Sequence, residues 1–396
     1  MNTKKKKLLV TGSTFPRWEG DTEPRFVLDL SEALTEYFDV TALVPAAPGA
    51  QKKEEMNGVH IIRYHYFPIH KWETLCYPGA IVPRIKEKKI RILLVPFLFI
   101  SLYIQLAKRV KEYDIVHAHW LIPQGIVQSF FHTPYIVTGH GGDVTSLNKG
   151  ILKTLKRRTL ERAGHITAVS GQLERVIQQL YPNKKLDIIS MGCKTKNFSR
   201  EYRVENYFNQ NSSKVILFVG RLAEKKGVSY LLKAIEGLDA KLVIVGDGPM
   251  RQELEAQACK LGDQVTFLGA KNHEELKTIF ASADIFVAPS ITAKDGDKEG
   301  IPTAIMEAMA SGLPVIASDS GGIAEIITDG VNGYLTKEKD VKQIRKRLVS
   351  LLEDDELREE LSQKAELSAK ELDYSVIGRK YAAILNEVLE KSNKNL

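Results

Sequence analysis

The sequence predicts an α/β protein of two doubly wound, parallel-sheet domains facing a central cleft, and three observations carry that reading. At 396 residues the chain exceeds one ordinary hydrophobic core. Short β-branched runs alternate with helical patterns in both halves, the signature of a parallel sheet covered on both faces. A polar stretch rich in Asn, Glu and Arg, with little apolar periodicity, separates the halves at 199–214 and is expected as a linker.

In the first half the strand candidates are 8–11, 40–44, 115–118, 135–138, 166–169 and 186–189, and helical patterns cover 26–37, 150–162 and 171–181. The second half repeats the scheme. Strand 215–219 leads to helix 228–238, strand 241–245 to helix 250–261, strand 265–268 to helix 274–281, and strand 285–288 to a helix opening at Pro302 before strand 315–317. Past 339 the pattern is wholly helical, and a break at Asp373 and Tyr374 precedes a last helix to 391. The domains expected are therefore 1–198, then the linker, then 215–372, with the helix in 373–396 returning to the first domain.

With 43% hydrophobic and 27% charged residues, the composition is that of a soluble globular protein. Cys76, Cys193 and Cys259, odd in number and far apart, give neither a disulfide framework nor a zinc pattern, so a reducing cytoplasm is expected. The lysine-rich start runs straight into the first strand, whose apolar run is too short for a secretory signal. Charge is unevenly shared. Residues 1–205 hold 31 Lys and Arg against 19 Asp and Glu, net +12, whereas 206–396 hold 25 against 30, net −5. The basic half is suited to an anionic partner. No zinc-finger spacing or RNP-like aromatic signature supports nucleic acid, and a membrane surface or a phosphorylated acceptor fits better.

The uncharged run 92–107 lies between Arg84-Ile-Lys-Glu-Lys-Lys-Ile-Arg91 and Lys108-Arg109. It contains Pro96 and falls short of the roughly 20 residues that span a bilayer. Two readings stay open: a buried helix, or a surface-lying helix by which 84–111 makes peripheral contact with anionic lipid at the inner membrane face.

The chemistry concentrates in the second half. Glu299-Gly300-Ile301-Pro302-Thr303-Ala304-Ile305-Met306-Glu307 places one carboxylate in a polar loop and another inside an apolar helical pattern. Proline suits the first helical position, which would leave the amides of Thr303, Ala304 and Ile305 open to an anion. Hydroxyl-binding carboxylates on either side of a phosphate-seeking helix start match the shape of a nucleotide sugar. After strand 215–219, Gly220-Arg221 and Lys226-Gly227 set two cations beside another helix start; they suit phosphate, or form a solvated surface loop. Gly246 and Gly248 are read as architectural, and Lys271 sits at the end of the next strand.

In the first half, Gly20 in Thr14-Phe-Pro-Arg-Trp-Glu-Gly-Asp21 allows close backbone approach, and the segment is not a dinucleotide fingerprint. Thr138-Gly-His140-Gly-Gly-Asp143 ends another strand, with Asp143 either functional or capping the next segment. His117 and His119 share one strand face and could pair on a metal, but no third ligand is evident nearby. Asp295-Gly-Asp297 is a carboxylate pair of metal-binding type, or a solvated turn between lysines.

Together, Gly220-Arg221…Lys226-Gly227, Val245-Gly-Asp-Gly248 and Glu299-Gly-Ile-Pro…Glu307-Ala-Met-Ala…Gly312-Leu-Pro-Val resemble the GT4-type retaining glycosyltransferases (glycosyltransferase group 1) of the GT-B fold. The resemblance runs along nearly the whole chain and is densest over 215–335. It implies a UDP- or GDP-linked sugar donor, a glycan or lipid-linked acceptor, a role in surface polysaccharide or glycoconjugate synthesis, and no catalytic metal. It also implies residue roles. Arg221 and Lys226 would hold the donor diphosphate with the amides of Thr303 and Ala304, and Glu299 would bond the donor sugar. Glu307 would take the ribose, Gly20 would approach the phosphates, and His140 would face the sugar. Gly220, Gly300, Ile301, Pro302, Lys271 and Asp143 complete the expected donor set. One departure stands out: Met191-Gly-Cys-Lys194 replaces the Asn-Gly-Val-Asp that the family often carries. The alternatives are a sugar-nucleotide epimerase or hydrolase on the same scaffold, and a non-catalytic nucleotide or nucleic-acid binder.

Overall fold

A computed structural model describes residues 5–394 apart from 22, 183, 185, 210–212 and 295–299. The chain forms two compact units, one of Met1–Met191 with Tyr374–Leu396 and one of Gly192–Asp373.

The first unit holds β1 (Lys6–Thr11), β2 (Phe38–Pro45), β3 (Lys53–Met56), β4 (Val59–Tyr64), β5 (Ile115–His119), β6 (Tyr135–Gly139), β7 (His165–Ala168) and β8 (Asp187–Ile188). They form one eight-stranded sheet in the order β3-β4-β2-β1-β5-β6-β7-β8. Every pairing is parallel except β3 with β4. That antiparallel edge was not read from the sequence, although Asn57 and Gly58, at φ 50° and 79°, are the residue pair that a tight hairpin turn needs.

Side-chain alternation along β1 feeds two cores. Leu9 packs with Leu43, Val116, Leu98, Leu102 and Leu106 on one face. Leu8 and Val10 pack with Val40, Leu28, Tyr381 and Leu385 on the other. Tyr381 belongs to the helix Tyr374–Lys394, so the end of the chain completes the first core. Its hydroxyl lies 3.5 Å from Thr138 Oγ1 and 3.4 Å from Thr167 Oγ1. Gly378 sits against Ala33, where a Cβ would come within 2.7 Å of the Ala33 Cβ.

The second unit holds β9 (Lys214–Val219), β10 (Ala240–Val245), β11 (Val265–Gly269), β12 (Ile285–Ala288), β13 (Val315–Ser318) and β14 (Tyr334–Thr336). Their order is β11-β10-β9-β12-β13-β14, all parallel. The chain steps outward from β9 to β11 on one side, then returns to β12 on the other. β9 and β12 therefore flank a topological switch point, and ligands of such sheets bind at the carboxyl ends there.

The stretch expected as a linker packs as part of this unit. Arg203 donates to the Ala281 and Ala283 carbonyls (3.3 and 2.8 Å) and pairs with Asp284 at 2.9 Å, while Val204 N donates to Ser282 Oγ at 3.0 Å. The chain enters and leaves the unit at adjacent points, since Cys193 N donates to the Leu372 carbonyl at 2.9 Å.

Candidate functional site

At the switch point three loops interlock because glycines remove the side chains that would separate them. A Cβ on Gly246 would lie 2.0 Å from the Gly220 carbonyl oxygen, and one on Gly248 would lie 2.4 Å from that of Leu222. Gly220 N donates to Val245 O and Leu222 N to Asp247 O, both at 2.9 Å. Gly227, left-handed at φ 65°, would bring a Cβ to 1.9 Å from the Pro289 carbonyl oxygen, and Ile291 N donates to Lys225 O at 2.8 Å. The cation-bearing loop after β9 is thus fixed against both the β10 loop and the β12 loop.

Lys226 is half-buried and lies along the loop, with Nζ 3.6 Å from where a Gly220 Cβ would stand. Arg221 is exposed, and among the described residues its guanidinium has no hydrogen bond or ion pair. An unneutralised cation at the carboxyl end of the central strand is suited to an incoming anion.

After β12 the chain reaches the helix Thr303–Ala310. Pro302 is its N-cap, at ψ 127°, not its first residue. Ile305 N donates back to the Pro302 carbonyl at 3.1 Å, so this amide is spent. Thr303 and Ala304 open the helix, and their N–H groups have no acceptor within it. Glu307 is buried on this helix among Ile305, Met306, Ala308 and Met309. Ile301 and Ala304 pack against the same core, and Gly300 O accepts from Gly322 N at 3.3 Å. Glu299 and the pair Asp295 and Asp297 lie outside the described residues.

Lys271 is engaged otherwise than expected. It pairs with Glu275 at 2.8 Å, raising its own pKa, while Glu275 also forms the capping box with Asn272. A residue missed from sequence is Glu338. Its carboxylate accepts from Thr292 N (2.8 Å), Thr292 Oγ1 (2.9 Å) and Ser320 Oγ (2.6 Å), tying the β12 and β13 loops to the segment after β14. No motif surrounds it, so only the fold reveals it.

In the first unit, Gly20 is exposed at φ 79° with nothing within 4 Å of a Cβ. The turn before Asp21 is closed by Arg17, which meets the Asp21 carboxylate through Nη2 at 2.8 Å and Nε at 3.0 Å. His140 stacks near His119, with Nε2 2.9 Å from His119 Nδ1, and its ring centroid lies 4.8 Å from Trp120 and 5.2 Å from Phe26. Enclosure by these rings disfavours the imidazolium and drives the His140 pKa down to about 3. Trp120 holds its place at φ 73°, a strained angle for a bulky residue. Asp143 clasps the loop: Oδ1 accepts from Gly141 N (2.8 Å) and His140 N (3.2 Å), and Oδ2 accepts from Leu121 N (2.8 Å). Burial raises its carboxyl pKa in spite of those donors. Asp143 thus positions His140.

His117 Nε2 bonds Thr138 Oγ1 at 2.8 Å, and the remaining ring nitrogens, His117 Nδ1 and His119 Nε2, are buried without a hydrogen-bond partner among the described residues. Among the described residues no group of three His, Cys, Asp or Glu side chains could hold a metal ion.

The paired parallel sheets are the GT-B fold of glycosyltransferases. A family model described as "Glycosyltransferase Family 4" matches residues 24–197, and one described as "Glycosyl transferases group 1" matches 200–368. An uncharacterized glycosyltransferase of Methanocaldococcus jannaschii is 31% identical over 77% of this chain and 78% of its own. A putative colanic acid biosynthesis glycosyltransferase of Escherichia coli is 30% identical over 69% of this chain and 70% of its own. Anabaena HepE, crystallised with UDP, superposes with a TM-score of 0.72 at 19% identity, over 96% of this chain and 100% of that one. The chain belongs to glycosyltransferase family 4.

Proposed function

We propose that this enzyme transfers a sugar, with retention of anomeric configuration, from a nucleoside-diphosphate donor to a glycan or lipid-linked acceptor in surface polysaccharide or glycoconjugate synthesis. The observation that carries the reading is the locked junction of the Arg221 and Lys226 loop with the β12 loop, through Gly227 and Pro289, beside the chain's approach to the Thr303–Ala310 helix. That HepE was crystallised with UDP supports a nucleotide donor, and the colanic acid relative supports a polysaccharide acceptor.

In this reading the diphosphate leaves as the sugar gains oxocarbenium character. Arg221, Lys226 and the amides of Thr303 and Ala304 stabilise the charge that builds on it. Glu307 takes the ribose hydroxyls, Glu299 those of the sugar, and Gly20 admits the phosphates. A neutral His140, aimed by Asp143 and His119, contacts the sugar. No carboxylate serves as nucleophile, and the departing diphosphate itself accepts the acceptor's proton at the same face.

The test is a thermal-shift screen of UDP- and GDP-sugars, followed by NMR of the product formed on acceptor addition. A donor at about 100 times its dissociation constant adds about 2.7 kcal/mol of stability. An inverted anomer sinks the retaining assignment. Conversion of the free donor to another nucleotide sugar without acceptor reassigns the chain as an epimerase.

A further inference from the structure

The helix Val95–Arg109, with the 3-10 turns of Lys89–Leu94 before it, is apolar on two opposite sides. Leu98, Leu102 and Leu106, at 1%, 0% and 0% exposure, pack into the first unit's core. On the other side Ile90, Leu93, Phe97, Ile100 and Ile104 follow one another at intervals of three and four and are exposed, Ile90 at 72% and Leu93 at 64%. Aromatic contacts widen this face. Phe97 meets Phe67 at 4.8 Å, and Phe67 stacks on Trp72 at 5.9 Å, itself 53% exposed.

Lysines bound the stripe. Lys88 and Lys89 are exposed before it, and Lys108 and Lys111 after it. At the leading end the acid Glu87 is already engaged by Arg84 (2.6 Å) and Arg91 (3.0 Å), which leaves the lysines to set the local sign; at the other end only Glu112 adds an exposed acid. Lys89–Glu112 is long and apolar enough to cross a membrane, but its leucine face is committed to the sheet core, which favours attachment over a span. A second copy of the chain would bring lysines against lysines across a two-fold contact.

We propose that this face docks on an anionic lipid bilayer, with the Ile90 to Ile104 stripe entering the headgroup boundary and the flanking lysines on acidic headgroups. It is a peripheral attachment, not a crossing. Trp72, at the margin of the stripe, is suited to the interface itself. The inference stands apart from the sugar-transfer reading, since it uses none of the residues assigned to the donor and needs no donor.

The experiment is co-sedimentation of the full chain with extruded vesicles of phosphatidylcholine, alone or mixed with phosphatidylglycerol. We expect binding to the anionic vesicles at least about tenfold above the neutral ones, weakening as salt rises. Ile100→Asp with Ile104→Asp should abolish it, and Lys88→Gln with Lys89→Gln and Lys108→Gln should lower it severalfold at an unchanged melting temperature. Should the aspartate pair misfold, Leu93→Ser with Ile100→Ser reads the same face. Absence of vesicle binding by the unmodified chain, or binding that survives the aspartates in a folded variant, overturns the proposal. So does a dimer that Ile100→Asp with Ile104→Asp converts to monomer without any vesicle binding, which gives the face to a second copy.

Discussion

Gly227 and Pro289 touch so closely that a single added carbon on Gly227 would lie 1.9 Å from the Pro289 carbonyl oxygen. This contact joins the loop bearing Arg221 and Lys226 to the loop leading toward the Thr303–Ala310 helix. Gly227→Ala adds that carbon and forces a side chain to φ 65°. We expect a stability loss of at least about 2 kcal/mol, together with weaker donor binding as the Lys226 loop is pushed away. A variant that melts and binds donor like the parent removes the contact from the account of the site.

Arg221→Ala separates charge from structure. The side chain is exposed and has no partner among the described residues, so the melting temperature should hold. Turnover should fall by about 2.7–4 kcal/mol of barrier, as for loss of one donor to developing negative charge. Wild-type turnover at saturating donor refutes the assignment.

Glu307→Gln keeps the shape of a buried side chain and removes its charge. The donor KM should rise about tenfold, equivalent to about 1.4 kcal/mol, with kcat much less affected. An unchanged KM with lowered kcat exchanges the binding role for a catalytic one.

Glu338→Ala strands the three donors from Thr292 and Ser320 that its carboxylate accepts. The expected destabilisation is about 1–3 kcal/mol, and Glu338→Gln, which retains one acceptor oxygen, should recover part of it. Equal melting of both variants and the parent counts against the clamp.

Acid should loosen the first unit. Burial holds the His117 pKa down to about 3, against an unfolded value of about 6.5. The folded state therefore excludes a proton that the unfolded chain takes up. Stability is complete above pH ~6.5 and declines by about 1.4 kcal/mol per pH unit as pH falls toward the folded value. His119 and His140 shift in the same direction. Unfolding midpoints measured from pH 7 to 5 should fall, and His117→Asn should shallow the slope. A flat profile over that range contradicts the burial argument.

Most of the parallel strands were legible as short β-branched runs, although β4 and β14 were not read, and the Arg221 to Gly227 and Gly300 to Glu307 segments stood out because glycines, cations and a helix start fall in one window. What escaped was set by which side chains and amides meet. Lys271, read as part of the donor set, pairs with Glu275 at 2.8 Å. Asp143, read as either functional or capping the next segment, accepts from the amides of Leu121, Gly141 and His140. Glu338 carried no motif at all. The β3–β4 edge was legible in principle from Asn57-Gly58, but its strands are short and half polar.

The helix Tyr374–Lys394 has a consequence for biosynthesis. Tyr381 and Leu385 belong to the same apolar cluster as Leu8, Leu28 and Val40. A nascent chain can therefore assemble Gly192–Asp373 from contiguous sequence, while the sheet of β1 to β8 waits with part of one side uncovered until the ribosome has delivered this later segment. Clipping the segment away would strip part of a wall from that sheet and spare the unit made in between.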